Sequence, residues 1–172
     1  MIRIRKSRKV DFSKLLAIIN NAALAYQGVI PQDCWQDPYM PQDALRKEMA
    51  DGVEFWVAEE NRQLKGVMGM QDRGEVVLVR HAYVAPASQG KGVGTMLLRH
   101  LEALAAKPVL IGTWSDATWA IQFYLRNGYS IVPAQHRGAL LQRYWSVSAR
   151  QVETSVVLAS ASGMQFVGEA KN

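Results

Sequence analysis

The seven residues Gln89-Gly90-Lys91-Gly92-Val93-Gly94-Thr95 place a glycine at every second position, between an apolar run and a helical run. Glycines so spaced let backbone N–H groups converge, and the following helix start adds positive potential, so the turn suits a pyrophosphate. Lys91 adds a cation. Read alone, the same loop also serves as a plain glycine-rich connection. Two familiar phosphate loops fail on spacing. A Walker loop needs its Lys after the last Gly and before Ser or Thr, whereas Lys91 lies inside the run. A dinucleotide fingerprint wants Gly at Thr95 and an acid near the end of the next strand, and Val109-Leu110-Ile111-Gly112 has none. Proton chemistry has its own candidates. His81 carries an imidazole suited to proton removal near neutrality, though a buried structural role is the commoner fate. Glu75 opens the strand that holds His81 and Glu54 precedes another; either could act through water, or simply be a surface carboxylate. His81, His100 and His136 share no ligand spacing, so no metal is expected.

The elements that must position these groups follow from periodicity. Ile2 and Ile4 alternate with Arg3 and Arg5, a first strand with the arginines on its wet face. Phe12, Leu15, Leu16, Ile18, Ile19, Ala22, Ala23 and Tyr26 have helical spacing, with Asp11 or Ser7 available as the cap. Residues 27–42 hold three prolines and no period, a long aromatic loop, and a short helix follows over 43–50. Strands over 55–59 and 64–71 meet at the turn Glu60-Asn61-Arg62, and Asp72-Arg73-Gly74 turns into a third over 75–84. Apolar residues fall on both parities of that third strand, which marks it as central and covered on both faces. A helix over 92–106 carries Met96, Leu97, Leu101, Leu104 and Ala105 at core spacing. A buried strand at 109–112, a helix at 118–127 and strands near 129–132 and 154–158 complete an α/β single domain. Trp114, Trp119 and Trp145 read as core. The segment 160–172 is small and polar and reads as a tail.

Composition narrows the classes. With 172 residues, 49% hydrophobic and 20% charged, the chain can bury a real core. The net charge of +5 is local. Arg3, Arg5, Lys6, Arg8 and Lys9 fall in the first nine residues, and without them the 20 basic residues become 15, equal to the 15 acidic ones. A nucleic-acid partner is therefore disfavoured, since it needs cations gathered on one folded face. Cys34 is the lone cysteine, which fits a reducing compartment and a cytoplasmic location. There is no apolar h-region at the N-terminus and no 18-residue apolar run, so neither secretion nor membrane spanning is supported.

Two motifs in register carry a family resemblance. Ala82-Tyr83-Val84-Ala85-Pro86 leads into Gln89-Gly90-Lys91-Gly92-Val93-Gly94, and Phe123-Tyr124-Leu125-Arg126-Asn127-Gly128-Tyr129 follows at the right distance. With the element order, these resemble the GNAT superfamily of acyl-CoA-dependent N-acyltransferases over residues 1–159. The resemblance implies a mixed, mostly antiparallel central sheet flanked by helices, acetyl-CoA as co-substrate, and direct acetyl transfer to a primary amine. It implies that the central strand bulges and splays from its neighbour. Ala82, Tyr83 and Val84 would then present backbone to pantetheine and the thioester carbonyl. Gln89, Gly90, Lys91, Gly92, Val93, Gly94 and Thr95 would cradle the pyrophosphate, with Lys91 as the cation meeting phosphate. One position departs: Ala117 stands where the family often has an Asn that contacts pantetheine.

By the same resemblance Tyr124 is the general acid, a phenol placed to protonate the departing thiolate. The base stays open among His81, Glu75, Glu54 and a water chain. The acceptor site should border residues 27–42, where Tyr26, Trp35, Tyr39 and Met40 could wall a pocket and Asp33 or Asp37 could steer an ammonium group. These aromatics could equally cap the open end of the sheet. The leading expectation is an N-acetyltransferase for a small amine or amino acid. Rival readings are transfer to a protein or aminoacyl-RNA, and an acyl-CoA sensor without turnover. Homodimerisation through the C-terminal strands is common in the family and carries over only by analogy.

Overall fold

The alternating start of the chain becomes an edge strand, β1 (Arg3–Lys6). A computed structural model describes residues 1–170. After β1 come α1 (Phe12–Ala23), a short 3-10 turn over Leu24–Tyr26, the loop, and α2 (Gln42–Ala50). The meander β2 (Glu54–Glu60), β3 (Gln63–Asp72) and β4 (Val77–Val84) leads to α3 (Val93–Leu104) and β5 (Val109–Trp114). Then follow α4 (Thr118–Arg126), β6 (Ser130–Ile131), α5 (Ala134–Tyr144), α6 (Ala149–Glu153), β7 (Ser155–Ala159) and α7 (Ala161–Glu169). Among the described residues the strands form one sheet in the order β1-β2-β3-β4-β5-β7-β6. Every pairing is antiparallel except β4 with β5. This is the expected mixed sheet flanked by helices.

Strand alternation divides the core between two faces. Phe55, Val57 and Val67 pack on Leu15, Ile19 and Leu45 from α1 and α2. Ala58, Met68 and Val79 pack on Val93, Leu97, Leu98 and Leu101 of α3. β4 sits fourth in the sheet, and Val77, Leu78 and Val79 are buried from both sides. The hairpin between β2 and β3 turns at Asn61 and Arg62, both at positive φ, a twist that matches the flanking strands.

Several expectations are corrected. Arg5 is not on a wet face: its guanidinium is held by Asp11 (2.7 Å) and Glu59 (3.0 Å), with 12% of the side chain exposed. Asp11 does not cap α1 through its side chain, because its carboxylate accepts from Arg8 N–H and the Arg5 guanidinium instead. On α3, Met96 and Leu104 face solvent and Leu98 takes the buried place. Trp119 is 43% exposed, while Trp114 and Trp145 are core. Helices α5, α6 and α7 add to the expected order. The stretch expected as a tail forms α7, where Ser160 Oγ accepts from Gly163 N–H and Val167 is buried. Gly163 permits that docking, since a Cβ there would lie 2.7 Å from the Val109 carbonyl oxygen. The last two residues of the 160–172 segment lie outside the described residues. Among the described residues, no helix is long and apolar enough to cross a membrane.

Candidate active site

The site begins where the parallel pair fails. β4 and β5 pair only at Val77–Val79 against Val109–Ile111; β5 then continues on β7 while β4 runs on to Val84. A bulge helps drive them apart. Val67 faces Tyr83 and Gly69 faces Arg80, so β4 places two residues, His81 and Ala82, where β3 places Met68. His81 takes φ 52, a conformation that costs a non-glycine residue on the order of 1–3 kcal/mol and persists only when its surroundings hold it. Past the bulge, Ala85 N–H bonds the Lys65 carbonyl. Antiparallel pairs alternate, so Tyr83 turns its polar groups to β3 and the Val84 amide faces the opened side. The Val84 carbonyl there accepts from Gln89 Nε2 at 3.2 Å.

The glycine loop lines one mouth of this opening. Gly90 and Gly92 take φ 71 and 78, which L side chains rarely adopt, and α3 starts directly after them. The first helical bond from the loop is Met96 N–H to Gly92 O, leaving the Val93, Gly94 and Thr95 N–H groups without a protein acceptor among the described residues. Gly94 allows α4 to approach: a Cβ there would sit 3.3 Å from the Phe123 ring. The cleft, about 860 Å³, is walled by Val84, Gln89, Gly90, Thr95, Phe123 and Tyr124 among others. Lys91 is not in its wall; its ammonium turns back to the Ala87 carbonyl at 2.9 Å. Arg99 and Arg126 line the cleft instead. Arg99 is occupied by Glu102 and the Asn127 carbonyl, while Arg126 is exposed without an acid partner among the described residues. Ala117 is fully buried at the start of α4, so no side-chain amide is offered there.

A second, smaller cavity of about 150 Å³ meets the first at Tyr26, Ala82, Tyr83, Ala120 and Tyr124. The Tyr124 ring is 6% exposed and edges onto Phe123 and Tyr129 at 5.0 and 6.0 Å. Its hydroxyl has no protein partner among the described residues and is not sealed off, and Tyr124 lines both cavities. Burial raises its pKa well above that of an ordinary phenol, which keeps it protonated. Burial likewise raises Tyr26, Tyr39 and Tyr83, so the tyrosines of this wall are neutral hydroxyls.

The far wall is polar. His81 lines the small cavity, with Nε2 2.9 Å from Glu48 Oε2 and its ring 5.9 Å from that of Phe55. Arg80 Nη1 reaches the same Glu48 oxygen at 3.4 Å and Gln71 Oε1 at 3.0 Å, and Gln71 donates in turn to the Asp51 carbonyl. Burial alone would raise the Glu48 carboxyl, but the hydrogen bond from His81 and the Arg80 charge bring it below the usual range. With Nε2 facing a carboxylate, His81 Nδ1 is the free lone pair. It has no protein partner among the described residues and is not sealed.

Glu75 and Glu54 are not brought to this place. Glu75 accepts from Tyr144 Oη and Arg143, both at 2.6 Å, beyond the far end of β4, and Glu54 pairs with Lys6 at 2.9 Å. Of the loop residues, Tyr26 and Tyr39 line the small cavity; Trp35 stacks on Tyr39 from behind at 5.8 Å. Met40 is buried in the core against α1 and α2. Asp33 pairs with Arg150 at 2.8 Å, and neither it nor Asp37 lines either of these two cavities. Glu48, Arg80 and Arg126 escaped the sequence reading, since nothing local marks a helix carboxylate that meets a strand residue 33 positions on. Among the described residues no three His, Cys, Asp or Glu side chains gather as a metal site.

Comparison with known proteins bears on the fold. Residues 51–131 match the sequence model of the acetyltransferase (GNAT) domain. No curated protein matches the chain. The PaiA N-acetyltransferase of Thermoplasma acidophilum, solved with coenzyme A, shares the fold with a TM-score of 0.71 at 16% identity, over 93% of this chain and 98% of that one. A ribosomal-protein-alanine N-acetyltransferase of Brucella melitensis gives 0.58 at 22% identity, over 76% and 86%. YncA, a putative acetyltransferase of Salmonella typhimurium solved with acetyl-CoA, gives 0.57 at 25% identity, over 77% and 81%. Residues 51–131 thus match the acetyltransferase (GNAT) domain, and the chain shares the fold of solved GNAT acetyltransferases.

Proposed function

We propose that the protein transfers an acetyl group from acetyl-CoA directly to the primary amine of a small molecule or amino acid. The observation that carries this reading is the junction of the two cavities at Tyr26, Ala82, Tyr83, Ala120 and Tyr124. The large cleft has free amides at a helix start and the exposed Arg126 for phosphates, and the small one has room for an acceptor of about the size of benzene. A cytoplasmic location fits the single Cys34.

Each residue has a part in the step. The pyrophosphate rests on the Val93, Gly94 and Thr95 amides, and pantetheine runs along the opened edge of β4. The Val84 N–H polarises the thioester carbonyl and stabilises the oxyanion. The neutral amine nitrogen attacks the carbonyl carbon, forming the C–N bond. As the C–S bond breaks, its electron pair goes to sulfur, which takes the Tyr124 proton. His81 Nδ1 removes the proton from the amine, and Glu48 holds the tautomer that leaves this nitrogen free. The phenolate regains a proton from solvent and His81 gives its proton up to solvent, which returns both groups to their starting states. Much of the acceleration is expected from holding both substrates in line at the junction. Release of free thiol from acetyl-CoA in the presence of a panel of small amines tests the reading. Amine-dependent release supports it; silence across the panel, with coenzyme A still bound, removes it.

A further inference from the structure

The wall of the small cavity contains one permanently charged side chain, Arg80, and no carboxylate among the described residues. Glu48 stands behind Arg80 and His81 rather than in that wall. Arg80 is anchored on one side only. Nη1 is 3.0 Å from Gln71 Oε1 and 3.4 Å from Glu48 Oε2, and Gln71 is itself 3% exposed and tied to the Asp51 carbonyl. The other edge, Nε and Nη2, has no protein acceptor among the described residues and is not sealed. That edge is a planar pair of parallel N–H donors, the geometry that accepts a carboxylate in bidentate fashion. The side chain is 18% exposed, so the fork is half desolvated before any ligand arrives.

The geometry points to an acceptor that carries a carboxylate beside its amine: a small amino acid, bound with its carboxylate on the free edge of Arg80. This rests on the transfer reading above and narrows its substrate class. An amine without an anion would leave the guanidinium fork buried and unpaired once the cavity closes around it, a cost that a site built for the contact imposes on analogues lacking it. A second ammonium group would meet Arg80 with like charge and find no carboxylate in the wall. The cavity of about 150 Å³ limits size. Comparable cavities hold about six to eight non-hydrogen atoms, the span from alanine to valine. Leu141, Trp145 and Val147 offer the apolar part of the wall to a short hydrocarbon side chain.

The test compares matched acceptors on the unaltered full chain by thiol release: alanine, alaninamide and ethylamine, with the same three forms built on valine. The amino acids are expected to exceed both neutral forms at least ten-fold in kcat/KM. In Arg80→Gln that ratio should fall toward one, and Arg80→Lys should recover only part of it, because it restores charge without the fork. The wild-type comparison stands even where a variant fails to fold. Ethylamine or alaninamide accepted as well as alanine overturns the carboxylate assignment and leaves acetyl transfer intact. No release with any amine, charged or neutral, overturns the transfer reading itself and this inference with it.

Discussion

Removing one oxygen atom from Tyr124 separates chemistry from folding in this protein. The Tyr124 hydroxyl makes no protein hydrogen bond among the described residues, and the ring is held by Phe123 and Tyr129 through contacts that Phe keeps. Tyr124→Phe therefore loses no internal polar partner, and its stability should stay within about 0.5 kcal/mol of the parent. Its effect on turnover is set by the leaving group. General acid catalysis contributes about 10²–10⁴-fold where the leaving group is a poor one. A thiolate whose conjugate acid has a pKa near 8.5 departs tolerably unprotonated, so the lower end applies, about 10- to 100-fold, or roughly 1.4–2.7 kcal/mol of barrier. Because burial holds the phenol protonated above its ordinary range, the parent should show no loss of kcat attributable to this group up to about pH 10. Thiol release at saturating acetyl-CoA gives kcat, calorimetry gives coenzyme A affinity, and a melt gives stability. The expected pattern is kcat down at least ten-fold with affinity within two-fold and Tm unchanged. Unchanged kcat would refute the role of Tyr124, and a collapsed Tm would refute the claim that its hydroxyl is unpartnered.

Other perturbations probe other links. Gly92→Ala meets no neighbouring atom within 4 Å, but at φ 78 it adds about 1–2 kcal/mol of backbone strain, so calorimetry should show coenzyme A binding weakened about ten-fold. Glu48→Gln and His81→Gln should each lower kcat about ten-fold or more, and the double variant should fall little further, since Glu48 acts through His81; additive losses would separate them. Asp11→Asn should destabilise by about 3 kcal/mol and lower Tm by roughly 10 °C, because it breaks the Arg5–Asp11–Glu59 cluster. The Arg5 hydrogen bond holds the Asp11 carboxyl well below the usual carboxylate range. Its contribution is therefore complete above about pH 4 and is lost as pH falls below that, so urea midpoints of parent and Asp11→Asn should converge in acid.

What the sequence announced and what it hid divide along one physical line. The glycine loop was legible because Gly90 and Gly92 need positive φ and Gly94 needs close packing, demands that residue type alone meets. β4 was legible because burial on both faces erases alternation. Helix α5 was not: it carries Gly138 inside and buries only Leu140, Leu141 and Tyr144. Helix α7 holds two glycines, one of which exists for its contact with β5 rather than for the helix. The direction of Lys91 depends on a carbonyl four residues back, and the role of Arg80 depends on partners from α2 and β3. Such pairings exist only once the sheet has formed. The N-terminal charge shows the same point, since Arg5 is spent on Asp11 and Glu59 inside the fold.

The central claim is that the splay between β4 and β5 passes an acetyl group directly from acetyl-CoA to an amine. A single-turnover experiment with isotopically labelled acetyl-CoA and a small amino acid, read by mass spectrometry, tests it most directly. Direct transfer gives one labelled acetyl on the amine for each thiol released, with no label retained on the protein at any time. Label appearing first on Cys34 or another side chain, or thiol released with the acetyl lost to water, would contradict it.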